Sequence, residues 1–325
     1  MIKVRRVRKG DLARIREVIE SAFADFYERQ LGSRPRQVFG GAQYVHHRWL
    51  MEPWGCYVAE ENDTKIVGAS IAVCWGSVGL FGPVAVLTPY QNQKIAQQLL
   101  KATQGFFDEN HVTLEGLVTY PYSPKHLVLY QKFGFKPKAL VAITGKSLER
   151  RESAPPPKPS RGGPQIQRFS AYEESRKKGL LGRLRALTNK ICRGLDLTKE
   201  IEIVNGLGLG DTLILEKDRA VTGFAICHTP GVSEAPQGAL YIKYAAIDPG
   251  RRRPEHFAQL LAAAEEFALS AGCQRMIAPV YTAYWRAYQT LLAAGYQMEM
   301  LMIRMKRGKN IDYEKEEDFI LDDWR

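Results

Sequence analysis

The run from Val84 to Leu100, VAVLTPYQNQKIAQQLL, changes its period partway along. Its first residues are apolar and Val-rich, as in a strand. Thr88-Pro89 breaks that pattern, because proline cannot continue a ladder. Ile95, Ala96, Leu99 and Leu100 then recur at the spacing of one helix face. A strand that runs into a helix leaves the first helical N–H groups without intrahelical partners, and the helix dipole adds partial positive charge there. The chemistry expected of Gln91 to Ala96 is therefore anion binding by backbone, phosphate above all. Several chemistries use such a turn.

Gln91-x-x-Lys94-x-Ala96 behind a Val-rich strand resembles the acyl-coenzyme-A pyrophosphate loop of the GNAT superfamily of N-acetyltransferases, usually Gln/Arg-x-x-Gly-x-Gly/Ala. Gln91 and Ala96 match, and Lys94 stands where glycine is usual. As a first-turn helical residue Lys94 is expected to need no positive φ, and it adds a cation beside the phosphates. Leu129-Tyr130-Gln131-Lys132-Phe133-Gly134-Phe135 resembles the family signature Leu-Tyr-x-Lys-x-Gly-Phe.

The resemblance implies acetyl coenzyme A as co-substrate, its diphosphate on Gln91, Asn92, Gln93, Lys94, Ile95 and Ala96. It implies a backbone N–H near Val86 or Leu87 that polarises the thioester carbonyl. It gives Tyr130 the task of protonating the leaving thiolate, and a phenol with a reference pKa of ~10 is protonated at neutral pH. Leu127, Tyr130 and Phe133 also fit a helical core stripe. Ser123 stands where the family often has asparagine, as a cofactor contact or only a helix cap. For deprotonating the acceptor amine, Glu115 on the following strand is the candidate, directly or through water, with His46, His47 and His111 as other positions. An acceptor that arrives deprotonated needs no base. The acceptor class is a small amine, a peptide N-terminus or a protein lysine. Two other classes stay open: a non-catalytic acyl-coenzyme-A-binding sensor, and a nucleic-acid-binding protein using the basic segment.

The elements that must position these residues follow the chain. Ile2 to Val7 reads as a strand, and Asp11 as the N-cap of a helix to about Arg29. A second helix is expected from about Pro35 to Met51. Strands follow at Gly55 to Glu60, Ile66 to Trp75 and Ser77 to Leu87, the last with Gly82-Pro83 as a bulge or edge signal. After the phosphate helix come a strand at Thr113 to Tyr120, a helix at Ser123 to Phe133 and a strand at Lys136 to Thr144. This β-α-α-β-β-β-α-β-α-β order is what the resemblance requires, and the family fold puts the cofactor where the fourth and fifth strands splay apart.

The second half repeats the first. Gln259-Leu260-Leu261 echoes Gln98-Leu99-Leu100, and Gly295-Tyr296 echoes Gly134-Phe135, both at an offset of 161. Tyr241 to Pro249 echoes the strand that ends at Pro89. The fold class expected is α/β (α+β), with two GNAT-like domains in tandem, each a mixed, mostly antiparallel sheet flanked by helices. The boundaries expected are a first domain at 1–147, a Pro/Gly-rich linker at 148–169, a second domain at 170–310 and an acidic-aromatic tail at 311–325. In the second turn Pro254 removes a donor, Glu255 adds negative charge, Phe257 replaces Ala96, and Leu291 replaces the tyrosine. The second domain is expected to be a degenerate copy, and catalysis to belong to the first.

Composition bounds the rest. The five cysteines are scattered without Cys-x-x-Cys, which argues for reduced thiols rather than a disulfide scaffold or zinc site, so no metal is expected. No apolar run approaches ~18 residues, and the N-terminus lacks a signal-peptide core, so a cytoplasmic protein without membrane contact is expected. The net charge of +11 is uneven: +9 over 150–193 and −5 over 311–325. Nucleic acid is a possible but unfavoured partner for the basic stretch. The helix read over Tyr172 to Leu195 is amphipathic and expected to face a core. Met298, Met300, Met302 and Met305 are expected in a buried terminal strand. The tail carries Tyr313, Phe319, Ile320, Leu321 and Trp324 among its acids, so it is expected to dock and bury Trp324, its carboxylates facing Lys/Arg of the linker or first domain.

Overall fold

The computed structural model describes residues 1–35, 38–149, 164–218, 220–251, 253–308 and 313–325. Ala154 to Pro159 and Gly162-Gly163 of the expected linker, Arg252 of the second turn, and Ile311 and Asp312 of the tail lie outside the described residues. The first half runs β1 (Ile2–Arg6), α1 (Leu12–Leu31), α2 (Tyr44–Met51), β2 (Tyr57–Glu61), β3 (Lys65–Trp75), β4 (Val78–Val86), α3 (Ile95–Glu109), β5 (Leu114–Thr119), α4 (Pro124–Lys132) and β6 (Lys136–Ser147). α1 buries Ile15, Val18, Ile19 and Ala22, one stripe at helical spacing, and Gly32 at φ +70° ends it. Asp11 does not cap α1 as expected, because its carboxylate accepts the Arg8 N–H and the Arg5 guanidinium instead.

The helix expected from Pro35 is confined to Tyr44–Met51. Gly41 and Gln43 donate their N–H groups to the Ser233 and Val232 carbonyls of the other half, which a helix would forbid. A Cβ on Gly40 would lie 2.3 Å from the Ser233 oxygen, so the approach needs glycine.

The second half runs β7 (Gln165–Arg168), α5 (Glu174–Ile191), α6 (Thr198–Gly206), β8 (Gly210–Lys217), β9 (Ala220–His228), β10 (Ala239–Ile247), α7 (Pro254–Ser270), β11 (Arg275–Tyr281), α8 (Trp285–Ala293), β12 (Gln297–Gly308) and β13 (Ile320–Asp322). β7 falls inside the expected linker, because Gln165 to Arg168 pair with Glu216 to Leu213 of β8. α5 buries Leu180, Leu184, Leu187 and Ile191 in the core, as its stripe requires.

All thirteen strands of the described residues join one sheet, in the order β1-β2-β3-β4-β5-β12-β6-β11-β10-β9-β8-β7, with β13 paired to β10. The centre of that order decides the architecture. β12 lies between β5 and β6, antiparallel to both, with Met305 opposite Leu117 and Leu301 opposite Ala142. β6 then lies between β12 and β11, with Thr144 opposite Ala278. Each half thus places one strand, β6 or β12, inside the other's sheet, and one core runs through both. The methionines divide accordingly: Met302 and Met305 are buried, but Met298 and Met300 are exposed, so the stretch is not buried throughout as expected.

The tail lies in the second half's own splay. Ile320 to Asp322 pair antiparallel with Ala246 to Tyr244, and Ile247 donates its N–H to the Phe319 carbonyl. Trp324 is buried between Gly116, where a Cβ would meet its ring at 2.2 Å, and the Arg304 guanidinium 3.8 Å over it. Two of the tail's carboxylates meet cations of β12, which belongs to neither the linker nor the first domain: Asp322 pairs with Arg304 at 2.6 Å and Glu314 with Lys306 at 2.8 Å. From the first domain, Arg48 donates to the Arg325 main-chain oxygen.

Candidate active site

β4 and β5 run parallel and pair only from Val78 to Leu80 against Leu114 to Gly116. Beyond Leu80 they part, and a cavity of about 1310 Å³ occupies the gap. Pro83 to Val86 form one wall, Val118 to Tyr120 the other, and residues of β10, β11 and β12 close the far side.

The turn into α3 reaches the cavity with Gln91, Asn92, Lys94, Ile95 and Ala96, whereas Leu87 and Gln93 fall outside its lining. Among the described residues the N–H groups of Asn92 to Ala96 make no backbone hydrogen bond outside α3. Lys94 is not a first-turn helical residue with ordinary dihedrals, as expected. It is the N-cap of α3, at φ +61° and ψ +14°, and Asn92 is also left-handed at φ +66°. That conformation is why glycine suits the position, and a lysine there carries about 1–2 kcal/mol of backbone cost. Two left-handed residues bend the chain so that successive N–H groups face one concavity. Lys125, Lys132 and Arg29 add cations to the same lining. Gln91 is held rigidly, its Nε2 donating to the Val86 carbonyl at 3.0 Å and its Oε1 accepting from Lys125 Nζ at 3.0 Å.

Of the two expected carbonyl-polarising donors, Leu87 is spent: its N–H donates to the Val67 carbonyl at 2.9 Å. Because donors alternate sides along an antiparallel strand, the Val86 N–H turns away from β3 and toward the splay. Ser123 caps α4 without a side-chain hydrogen bond to it and lines the cavity. Tyr130 lies on α4, 9 % exposed against Phe81, and lines the same cavity. Burial pushes its phenol well above the usual range, so it stays protonated at any physiological pH.

Glu115 is not brought to this place. It sits at the paired end of β5, outside the cavity lining, where Arg307 Nε lies 3.0 Å from it. Burial raises its carboxyl to about 7 against the pull of Arg307. His111 lies in the exposed turn after α3, His46 is bonded to Gln43, and His47 is buried outside the lining.

Other groups line the cavity without having been singled out by the sequence. Phe26, Tyr27 and Tyr120 form an aromatic wall, with the Tyr27 and Tyr120 hydroxyls 2.7 Å apart and Tyr122 packed behind them outside the lining. His126 packs on Phe26, and burial lowers its imidazole to about 4, so it is neutral at pH 7. Arg48 donates to the Gly82 and Arg325 carbonyls and lies 2.8 Å from Glu234, which also pairs with Lys243 at 3.0 Å. Burial works against the Glu234 charge, but Arg48 and Lys243 hold its carboxyl far below the usual range. Asp323 and Arg325 of the tail reach the same cavity, bonded to each other, and Arg325 Nη2 donates to the Tyr241 hydroxyl. The one local signal for this cluster was Lys243, a lone cation in the apolar strand Tyr241 to Ile247.

The second half has no equivalent opening among the described residues. β13 fills the gap between β10 and β11, and Phe257 packs against Phe319.

Residues 52–137 match the sequence model of the acetyltransferase (GNAT) domain. Among solved structures, an acetyltransferase of Pyrococcus horikoshii is similar at a TM-score of 0.67 and 14% identity, over 99% of this chain and 95% of that one. A GCN5-related N-acetyltransferase from Sphaerobacter thermophilus is similar at 0.61 and 12%, over 96% and 98%. A tandem GNAT protein from the clavulanic acid biosynthesis pathway is similar at 0.58 and 10%, over 94% and 98%. These identities speak for the fold. No curated protein matches the chain by sequence.

Proposed function

We propose that this chain, which carries a GNAT domain within a tandem GNAT fold, is an N-acetyltransferase that moves acetyl from acetyl coenzyme A to a primary amine in the cleft between β4 and β5. The observation that carries the reading is the continuity of that cleft with the anion-binding turn of Gln91 to Ala96 and with Tyr130. The turn's free N–H groups and Lys94 hold the diphosphate, with Ser123 near the cofactor chain and the Val86 N–H facing the thioester oxygen. The neutral amine attacks the carbonyl carbon, the C–S bond breaks, Tyr130 gives its hydroxyl proton to the departing thiolate, and the proton that the attacking nitrogen loses as it becomes the amide passes through water to restore the phenol. The lining acids are held in ion pairs, so the acceptor amine enters in its neutral form.

Calorimetric titration with acetyl coenzyme A, followed by an amine screen for thiol release, tests this. Binding with turnover of at least one amine is expected. Binding without turnover would favour a sensor, and no binding would remove the reading.

A further inference from the structure

His47 on α2, Glu200 on α6 and His228 at the end of β9 meet at the junction of the halves, each at most 1 % exposed. Glu200 Oε1 lies 2.9 Å from His47 Nε2 and 3.7 Å from His228 Nε2. None of these three buried atoms has a hydrogen-bond partner, so even the closest pair is out of hydrogen-bonding alignment. All three side chains can bring one ligand atom within 4.8 Å of each other's. The imidazoles stand edge to face, centroids 5.4 Å apart and planes at 61°. Glu200 is oriented from behind, since its Oε2 accepts from Trp75 Nε1 at 3.2 Å. Neither nearby cation contacts it directly: Arg48 and Lys243 are within ion-pair distance of Glu234 instead and act on Glu200 only through space.

A buried carboxylate and two buried imidazoles whose facing atoms lie 2.9 and 3.7 Å apart without an aligned hydrogen bond leave buried lone pairs that a closed polar network would have satisfied. Two nitrogens and one oxygen are a donor set suited to zinc and its neighbours, with one position of a tetrahedron left for water. We propose that His47, Glu200 and His228 bind one divalent transition-metal ion, of which zinc is the fitting example, and that this ion joins the first half to the second. The sequence gives no sign of it, because the ligands lie 153 and 28 residues apart with no motif spacing.

The test uses the untagged full chain, stripped of metal and titrated calorimetrically with zinc chloride alone. One ion per chain is expected, with binding weakened at least tenfold in His228→Gln and in Glu200→Gln and unchanged in His46→Gln. Failure of the wild type to bind zinc, or equal binding by the ligand variants, would overturn the proposal. Should the variants not fold, Co²⁺ on the wild type decides: intense tetrahedral visible bands that zinc abolishes support the site, and weak octahedral bands overturn it. A melting temperature that rises with zinc is also expected, and one that does not move speaks against it.

Discussion

The ring of Phe319 packs on the ring of Phe257 with centroids 5.4 Å apart. Phe257 stands in the second half where Ala96 stands in the first, and the tail that carries Phe319 lies in the second half's splay. A side chain that would block a cofactor turn is here a docking site for the chain's own β13. From this follows an asymmetry: one acetyl coenzyme A per chain, its diphosphate over Gln91 to Ala96. A co-crystal with density over Arg253 to Phe257 would reverse the assignment of the halves.

Removing the tail is a separate prediction. Trp324→Ala is expected to cost about 3–5 kcal/mol, since it empties the space against Gly116 and uncovers Arg304. Deletion of 311–325 should lower the melting temperature and speed proteolysis in the Pro-rich stretch near 155–159. Equal melting and cleavage in the truncated protein would show that the tail adds nothing.

Tyr130→Phe should leave acetyl-coenzyme-A affinity near the wild-type value and reduce turnover at least ~10²-fold, the usual scale for a general acid. With the phenol pushed up by burial, no alkaline fall in the wild-type rate below about pH 10 should trace to this residue. Thiol release by the variant at the wild-type rate would return Tyr130 to a packing role.

Lys94→Gly separates strain from charge. Glycine takes φ +61° without the Cβ clash, so stability is expected to rise by up to about 1 kcal/mol. Loss of the cation should at the same time weaken acetyl-coenzyme-A binding, most at low salt. Denaturant melts and calorimetry read the two effects independently, and a variant that is both less stable and unaltered in affinity would refute them.

Glu115 gives a pH test. Its folded pKa of about 7 exceeds the ordinary value, so the native state holds the proton more tightly than the unfolded chain does. The stability this gives is present below about pH 4.5 and is lost as pH rises to about 7. Glu115→Gln should flatten stability across that window and be more stable than the wild type at pH 8, by about 1 kcal/mol once screening and the lost Arg307 pair are allowed for. Turnover should stay within about twofold, because the side chain lies outside the cavity. A large loss of turnover would restore Glu115 as the base.

What the sequence by itself determined was local or periodic. The change of period between Leu87 and Ile95, the Tyr130 signature and the 161-residue repeat depend on side chains a few positions apart, or on one pattern copied once. They sufficed for the two halves, the element order of the first and the turn that faces the cleft. Tertiary structure decided the partners. β6 would show the same apolar pattern beside a strand of its own half or beside β11 and β12, because pairing uses backbone groups that every residue carries. The same blindness hid the loss of the Leu87 N–H to Val67, the distance of Glu115 from the cavity and β13 in the second splay. It also hid the meeting of His47, Glu200 and His228. Left-handed Lys94 was hidden for another reason, since a lysine pays the backbone cost only where the surrounding turn compels it, and the turn is set by how β4 and α3 pack.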